Sequence, residues 1–216
     1  EQAQPTKAQT AQSNKAALTQ LPALPDIEFT SPIDLAIEAF DIEKVTIEQG
    51  DAQHNIENIS LLLNVEDAVI NLQSLSATYE QWQLNTQLDA ELLGNLPVKG
   101  LVTLKSDEHQ ANLELNGDLA GLSIHLETSG QYPLTLTANA NLKQKNYPFE
   151  LSGKINQWLI DAQSNELKVK NVSLKATGNA DDYQLNLQAN SQLGAYPAVN
   201  LNTQLTGGLT QATLKT

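Results

Sequence analysis

From Pro25 onward the chain alternates apolar and polar residues with a period of two, interrupted by short clusters of Gly, Asn, Asp and Pro. In the cleanest stretch Leu134, Leu136, Ala138, Ala140 and Leu142 share one parity, while Thr135, Thr137, Asn139 and Asn141 share the other. Successive side chains of a strand point to opposite faces, so this pattern predicts strands with one apolar and one polar side. Trp82, Leu84, Leu88 and Ala90 repeat it against Gln83, Asn85, Gln87 and Asp89. Leu113 and Leu115 repeat it before a turn at Asn116-Gly117-Asp118, as do Leu185 and Leu187, and then Val199, Leu201 and Leu205. No stretch of similar length follows a helical period, so little helix is expected.

Turn residues separate the runs at Gln49-Gly50-Asp51, Asp107-Glu108-His109, Ala120-Gly121, Gly178 to Asp182 and Gly207-Gly208. Their spacing suits strands joined by hairpins. One phase change is visible. Ile70 and Leu72 lie on one parity and Leu75, Ala77 and Tyr79 on the other, which predicts a bulge near Ser74. Ahead of Pro25 the composition is Gln, Ala, Lys and Thr, read as a flexible polar linker over residues 1–25 with a frayed helical turn near Asn14 to Gln20. Residues 26–216 are read as one repeating antiparallel β segment.

A sheet with one apolar face must cover it. A second sheet, a closed barrel, or a sheet curled into a trough all satisfy the same alternation. The apolar positions are mostly Leu, Ala, Val and Ile, a smooth surface that suits acyl chains as well as a packed core.

The net charge of −13 is uneven: residues 1–91 carry 15 acidic groups and 3 lysines, and residues 92–216 carry 10 and 9. An acidic surface repels phosphate backbones, so no nucleic-acid partner is expected. No arginine occurs, which removes the usual bidentate anion ligand. No cysteine occurs either, so disulfides and thiolate metal sites are excluded.

Candidate chemistry is sparse. His54, His109 and His125 have no partners at metal-ligand spacing, and Asp181-Asp182 beside Gly178 reads as a turn rather than a calcium loop. Glu66 and Asp67 adjoin in sequence, so in a strand they point apart and make no catalytic pair. No nucleophile elbow, phosphate loop or zinc-protease motif is present. Neither an enzyme, a metal nor a cofactor is expected. Trp82, on the apolar parity, is expected to line that face, and Trp158, in Gln157-Trp158-Leu159-Ile160, to anchor packing.

Residues 171–215 carry a resemblance: a strand ending Ala176-Thr177-Gly178, the turn Asp181-Asp182-Tyr183, an alternating strand from Gln184, a Pro-containing hairpin, and a last strand ending Gly207-Gly208-Leu209. Ala39 to Asp51 is similar to the start of such a unit. Together they resemble the TamB family, inner-membrane components of bacterial translocation and assembly modules within the AsmA-like, bridge-like lipid-transfer superfamily. The resemblance implies an all-β fold, a long antiparallel sheet curled into an elongated trough (a β-taco or groove) with an apolar interior. It implies a periplasmic protein anchored in the inner membrane, with phospholipid as cargo and an Omp85-type outer-membrane barrel as partner. Outer-membrane biogenesis, autotransporter assembly and protein secretion come with it. The chain is then expected to be an internal fragment that lacks the membrane anchor and the barrel-docking region. Groove candidates are the apolar-parity residues: Trp82, Leu84 and Leu88; Leu113 and Leu115; Leu134, Leu136, Ala138 and Leu142; Leu185 and Leu187; and Val199, Leu201 and Leu205. The alternative is a scaffold that offers open strand edges to unfolded outer-membrane proteins.

Far-ultraviolet circular dichroism is expected to be β-dominated. A helix content above about one third, the base rate for globular domains, would contradict this reading.

Overall fold

The computed structural model describes residues 21–50, 52–162, 165–208 and 212–215. No helix occurs among them. Most of the expected linker, including Asn14 to Gln20, lies outside the described residues. The elements are β1 (Ile27–Glu28), β2 (Leu35–Gln49), β3 (Ala52–Glu66), β4 (Val69–Tyr79), β5 (Trp82–Glu91) and β6 (Leu93–Gly94). They continue with β7 (Val98–Lys105), β8 (Gln110–Gly117), β9 (Leu122–Ser129), β10 (Leu134–Ala140) and β11 (Phe149–Ala162). The last four are β12 (Asn165–Gly178), β13 (Tyr183–Leu193), β14 (Val199–Gly207) and β15 (Ala212–Lys215).

Thirteen strands form one antiparallel sheet in the order β15-β14-β13-β12-β11-β10-β9-β8-β7-β5-β4-β3-β2, and β1 pairs with β6 apart from it. Every neighbour in the large sheet is a sequence neighbour, save that β6 intervenes between β5 and β7. This is the simplest outcome of hairpin turns between alternating runs. Twelve spacings of about 4.8 Å give the sheet a contour of about 58 Å across its strands. It is not closed into a barrel, since β2 and β15 end the order.

Registers are set where the alternation changes phase. Against both neighbours β4 slips near Ser74, between Leu62 and Leu63 of β3 and between Leu72 and Leu75 opposite β5, as the parity switch predicts. Two further bulges reveal an internal repeat. Asn58 in β3 and Asn171 in β12 both have positive φ, 52° and 53°. Each precedes a β-branched-Ser-Leu triplet, Ile59-Ser60-Leu61 and Val172-Ser173-Leu174, and each lies at a register shift toward the next strand. Asn tolerates the left-handed region better than most residues, so it is suited to seat the bulge. Two strands later Leu84-Asn85-Thr86-Gln87-Leu88 in β5 recurs as Leu201-Asn202-Thr203-Gln204-Leu205 in β14. The four strands β2 to β5 therefore recur as β11 to β14, displaced by eight strand spacings or about 38 Å.

The strand ends form two lips. On one, the connections β3–β4, β5–β7, β8–β9 and β10–β11 are crossed by the segment from Leu21 to Ser31. Leu24 N–H donates to Leu142 O at 2.9 Å, Phe29 N–H to Leu92 O at 3.1 Å and Ser31 N–H to Asp67 O at 2.6 Å. Ile27 and Glu28 pair with Gly94 and Leu93, and Lys143 makes an ion pair with Asp26. Asn146 fixes the far end: its Oδ1 accepts from Leu21 N–H at 2.6 Å, and its own N–H donates to Leu21 O at 3.0 Å. The residues 21–25 assigned to the linker are thus tied to the sheet by backbone hydrogen bonds.

Asn146 also sits at φ 61°, where Ala is less well tolerated than Asn. Asn146→Ala is expected to lower stability by about 1–2 kcal/mol through the lost hydrogen bond and the strained backbone. At about 2–4 °C per kcal/mol for a chain of this size, a thermal melt should move by about 2–8 °C.

Candidate functional site

Residues directly opposite one another in a ladder share a face, so the registers assign the faces of the sheet. One row crosses all thirteen strands: Ile37–Leu63–Leu72–Leu88–Gly100–Leu115–Ile124–Ala138–Leu151–Ala176–Leu185–Leu205–Leu214. No polar side chain interrupts it. A second row, one pleat away, crosses twelve strands from Phe40 through Leu61, Leu75, Thr86, Val102, Leu113, Leu126, Leu136, Gly153, Leu174 and Leu187 to Thr203. Leu84 and Leu134 lie in a third row, with Leu104 and Ala111 between β5 and β8. Val199 and Leu201 face Ser191 and Ala189 on that same side.

Of the expected groove residues, the strands thus bring Leu84, Leu88, Leu113, Leu115, Leu134, Leu136, Ala138, Leu185, Leu187, Val199, Leu201 and Leu205 onto one continuous face. Trp82, opposite Tyr79, stands at its margin. Leu142 lies past the end of β10, in the connection under the Leu21–Ser31 segment, where its N–H donates to Leu119 O at 2.7 Å.

Among the described residues this face has no second layer. The only hydrophobic residues counted as buried among the described ones are Ala68, Leu119 and Ala176, and no large side chain is fully buried. Phe40, Leu104, Leu113, Leu201 and Leu214 are exposed although their neighbours in register are apolar. The two long rows, each about 6.8 Å wide over the contour of about 58 Å, make an apolar surface of roughly 800 Å², above the few hundred Å² that ordinary monomers expose.

Two glycines lie within the rows. A Cβ on Gly100 would meet Leu88 Cδ1 at 3.1 Å, and one on Gly153 would meet Leu174 Cβ at 3.5 Å. The surrounding leucines close over the space these positions leave.

The opposite face is polar. Thr137 faces His125, whose Nδ1 lies 3.2 Å from Thr137 Oγ1, and Asn190 donates to Asn200 at 2.7 Å. A hollow of about 400 Å³ there is lined by Gln87, Asp89, Lys99 and Glu114 among others, with no nucleophile and base brought together. Among the described residues no three His, Asp or Glu side chains gather as metal ligands. No described helix is long and apolar enough to cross a membrane.

A family profile described as the TamB N-terminal domain matches residues 1–216. The chain belongs to the TamB family. The family's role lies in the translocation and assembly module, which agrees with the resemblance carried by residues 171–215. Comparison with curated proteins gave no match, and comparison with solved structures gave none either.

The second lip differs from the first. There the hairpins β4–β5, β7–β8 and β9–β10 end, and six rings line it: a touching pair, His54 and Tyr79, and a touching run of four, Trp82, His109, Tyr132 and Trp158. His54 and Tyr79 have centroids 6.0 Å apart, with His54 Nδ1 2.7 Å from Tyr79 Oη. Tyr79 opposes Trp82 across the β4–β5 ladder. Trp82 and His109 lie at 6.1 Å and 17°, His109 and Tyr132 at 6.3 Å and 16°, and Tyr132 meets Trp158 edge-on at 5.9 Å. Hydrogen bonds hold the rings in place: Trp158 Nε1–H donates to Pro133 O at 2.9 Å, and Gln131 N–H points to His109 Nδ1 at 3.4 Å. Both tryptophans of the chain belong to this ladder. Alternation singles out Trp82 and Trp158 but offers His54 and His109 only as isolated imidazoles and passes over Tyr132. The available signal was one ring near each hairpin turn, and it has meaning only once the turns are known to share a lip.

Gly130 sets the spacing between two of these turns. Its φ is 95°, and a Cβ there would lie 2.2 Å from Glu108 O and 2.7 Å from His109 Nδ1. Gly130→Ala is expected to push the β9–β10 turn off the β7–β8 turn and to lower stability by about 2 kcal/mol. A melt lowered by about 4–8 °C, with loss of near-ultraviolet dichroism from Tyr132 and the tryptophans, would be the signature.

Proposed function

We propose that this TamB-family chain is a periplasmic stretch of a lipid conduit, in which the apolar face receives phospholipid acyl chains and carries out no chemical conversion. The observation behind this reading is the unbroken apolar row over thirteen strands with no layer packed on it. Curling of the sheet about that row would form a trough, with the apolar side chains inside and the polar face toward water. Entry of an acyl chain would be driven by desolvation, worth about 0.8 kcal/mol per buried methylene.

The repeat suits movement as well as binding. Leu84 and Leu88 in β5 have counterparts Leu201 and Leu205 in β14, so a chain displaced along the sheet meets similar contacts and is not trapped. In this reading the lipid passes between inner and outer membranes, and the parent protein is anchored in the inner membrane and works with an Omp85-type outer-membrane barrel.

One observation favours a second reading. β2 ends the sheet, and its outer edge over Leu35–Gln49 has no strand beside it among the described residues. An open edge of that length would accept an added strand, as a scaffold for outer-membrane proteins such as autotransporters would require.

Adjacent substitutions separate face from edge. Leu88→Glu places a carboxylate in the central row, while Gln87→Glu adds charge to the polar face. Native mass spectrometry is expected to find phospholipid on the unchanged chain and on Gln87→Glu, but strongly reduced on Leu88→Glu, which still folds because its carboxylate reaches water. Gly153→Phe should let lipid load yet block passage beyond β11 in a vesicle-to-vesicle transfer assay. Equal loading of the two glutamate variants would remove the apolar face as the binding site.

A further inference from the structure

The two lips of the sheet are chemically unlike, and that difference bears on which way a bound lipid faces. The first lip is crossed by the Leu21–Ser31 segment, whose backbone bonds bridge from β3–β4 to β10–β11. The second has no such cover among the described residues and carries the ring ladder. We propose that the second lip is the headgroup side of the trough and that its ladder receives the ammonium end of a zwitterionic, ethanolamine-type phospholipid. This rests on the acyl-chain reading above.

Three features support it. Indole and phenol rings are apolar across their bodies and polar at one end, which suits the level where acyl chains give way to headgroups. The near-parallel pairs have centroids 6.1 and 6.3 Å apart, well beyond the separation at which two rings lie face to face in contact, so neither ring fully covers the face of the other. Tyr132 is 44% exposed, which leaves its ring open to a ligand. An uncovered ring face attracts an ammonium group through its quadrupole.

Charge points the same way. The β4–β5 and β7–β8 turns, beside Tyr79, Trp82 and His109, present Glu80, Asp107 and Glu108, all exposed, against Lys105 at the end of β7, while Lys168 and Lys170 flank Val169, the partner of Trp158, at the far end. The chain has no arginine to form a fork for a phosphate. A headgroup whose outermost charge is positive is therefore favoured over one whose only charge is the phosphate. Its phosphate lies nearer the glycerol and remains in water at the open lip.

The test loads the purified chain from vesicles of equimolar phosphatidylethanolamine and phosphatidylglycerol and counts bound lipid by native mass spectrometry. The unchanged chain is expected to carry the ethanolamine lipid in excess by about two- to fivefold, the range for cation–π contacts at exposed sites. Tyr132→Leu and Trp158→Leu should each move the ratio toward one while total lipid stays constant. Phe29→Leu, an exposed ring on the first lip, should leave the ratio unchanged. A ratio of one in the unchanged chain, a ratio untouched by both ladder substitutions, or an equal effect of Phe29→Leu would overturn the assignment while leaving the acyl-chain reading intact. Absence of both lipids from the unchanged chain would overturn both readings. Tyr132 is an exposed turn residue, so its substitution reports on headgroups even if Trp158→Leu loosens the β9–β10 turn.

Discussion

The structure depends on one constraint: the strands of the large sheet share an apolar face, and among the described residues no second layer covers it. Backbone hydrogen bonding is satisfied within the sheet, strand by strand, so the ladder can extend without a core. Hydrophobic burial is obtained only sideways, by leucines leaning on leucines in the next strand. That is why the large apolar residues are mostly half-exposed and why Ala176, small and central, is among the few that are buried. A compact domain would place its apolar surface inside; here much of it remains available.

The same constraint explains where stability is added. The lips are the places where strand ends would leave backbone groups unpaired, and both are closed by local devices. On one, the Leu21–Ser31 segment donates N–H groups to the carbonyls of the connections, with Asn146 at its far end. On the other, turns dock on turns, Gly130 against Glu108 and His109, and the rings pack in a line. The ion pairs add little: Lys44 and Glu57 lie 3.8 Å apart with both side chains about half exposed, and such pairs are worth at most about 1 kcal/mol.

On the proposed conduit reading, the internal repeat links the architecture to transport. A binding site holds a ligand because its contacts are unlike those next to it. A conduit needs the reverse, contacts that recur along the path. The identical pentapeptides in β5 and β14, the matching bulges at Asn58 and Asn171, and the glycines at 100 and 153 within the rows give the face a low-contrast surface. The ladder on one lip breaks that evenness only at the margin, where the proposed headgroup contact would set orientation rather than residence.

Much of the fold was legible in the sequence, because strand periodicity is local. Alternation at Leu134 to Leu142 and at Trp82 to Ala90 identified the strands and their apolar sides, and the parity switch located the bulge at Ser74. The repeated Leu-Asn-Thr-Gln-Leu was equally readable, since it requires no structure. Which strand neighbours which, and that no second sheet covers the apolar face, could not be read, because a sandwich, a barrel and a single sheet need the same alternation. The placement of Leu142 beyond β10 was also hidden: its parity continues the strand, but the connection to Phe149 turns beneath the Leu21–Ser31 segment. The ladder was out of reach for a further reason. Its rings lie far apart in sequence and meet only because successive hairpins end on one lip at a common height. Sequence by itself determined which residues each strand turns to its apolar side. Tertiary structure alone decided that those sides join into one uncovered face with two unlike lips, since that depends on register summed over thirteen strands.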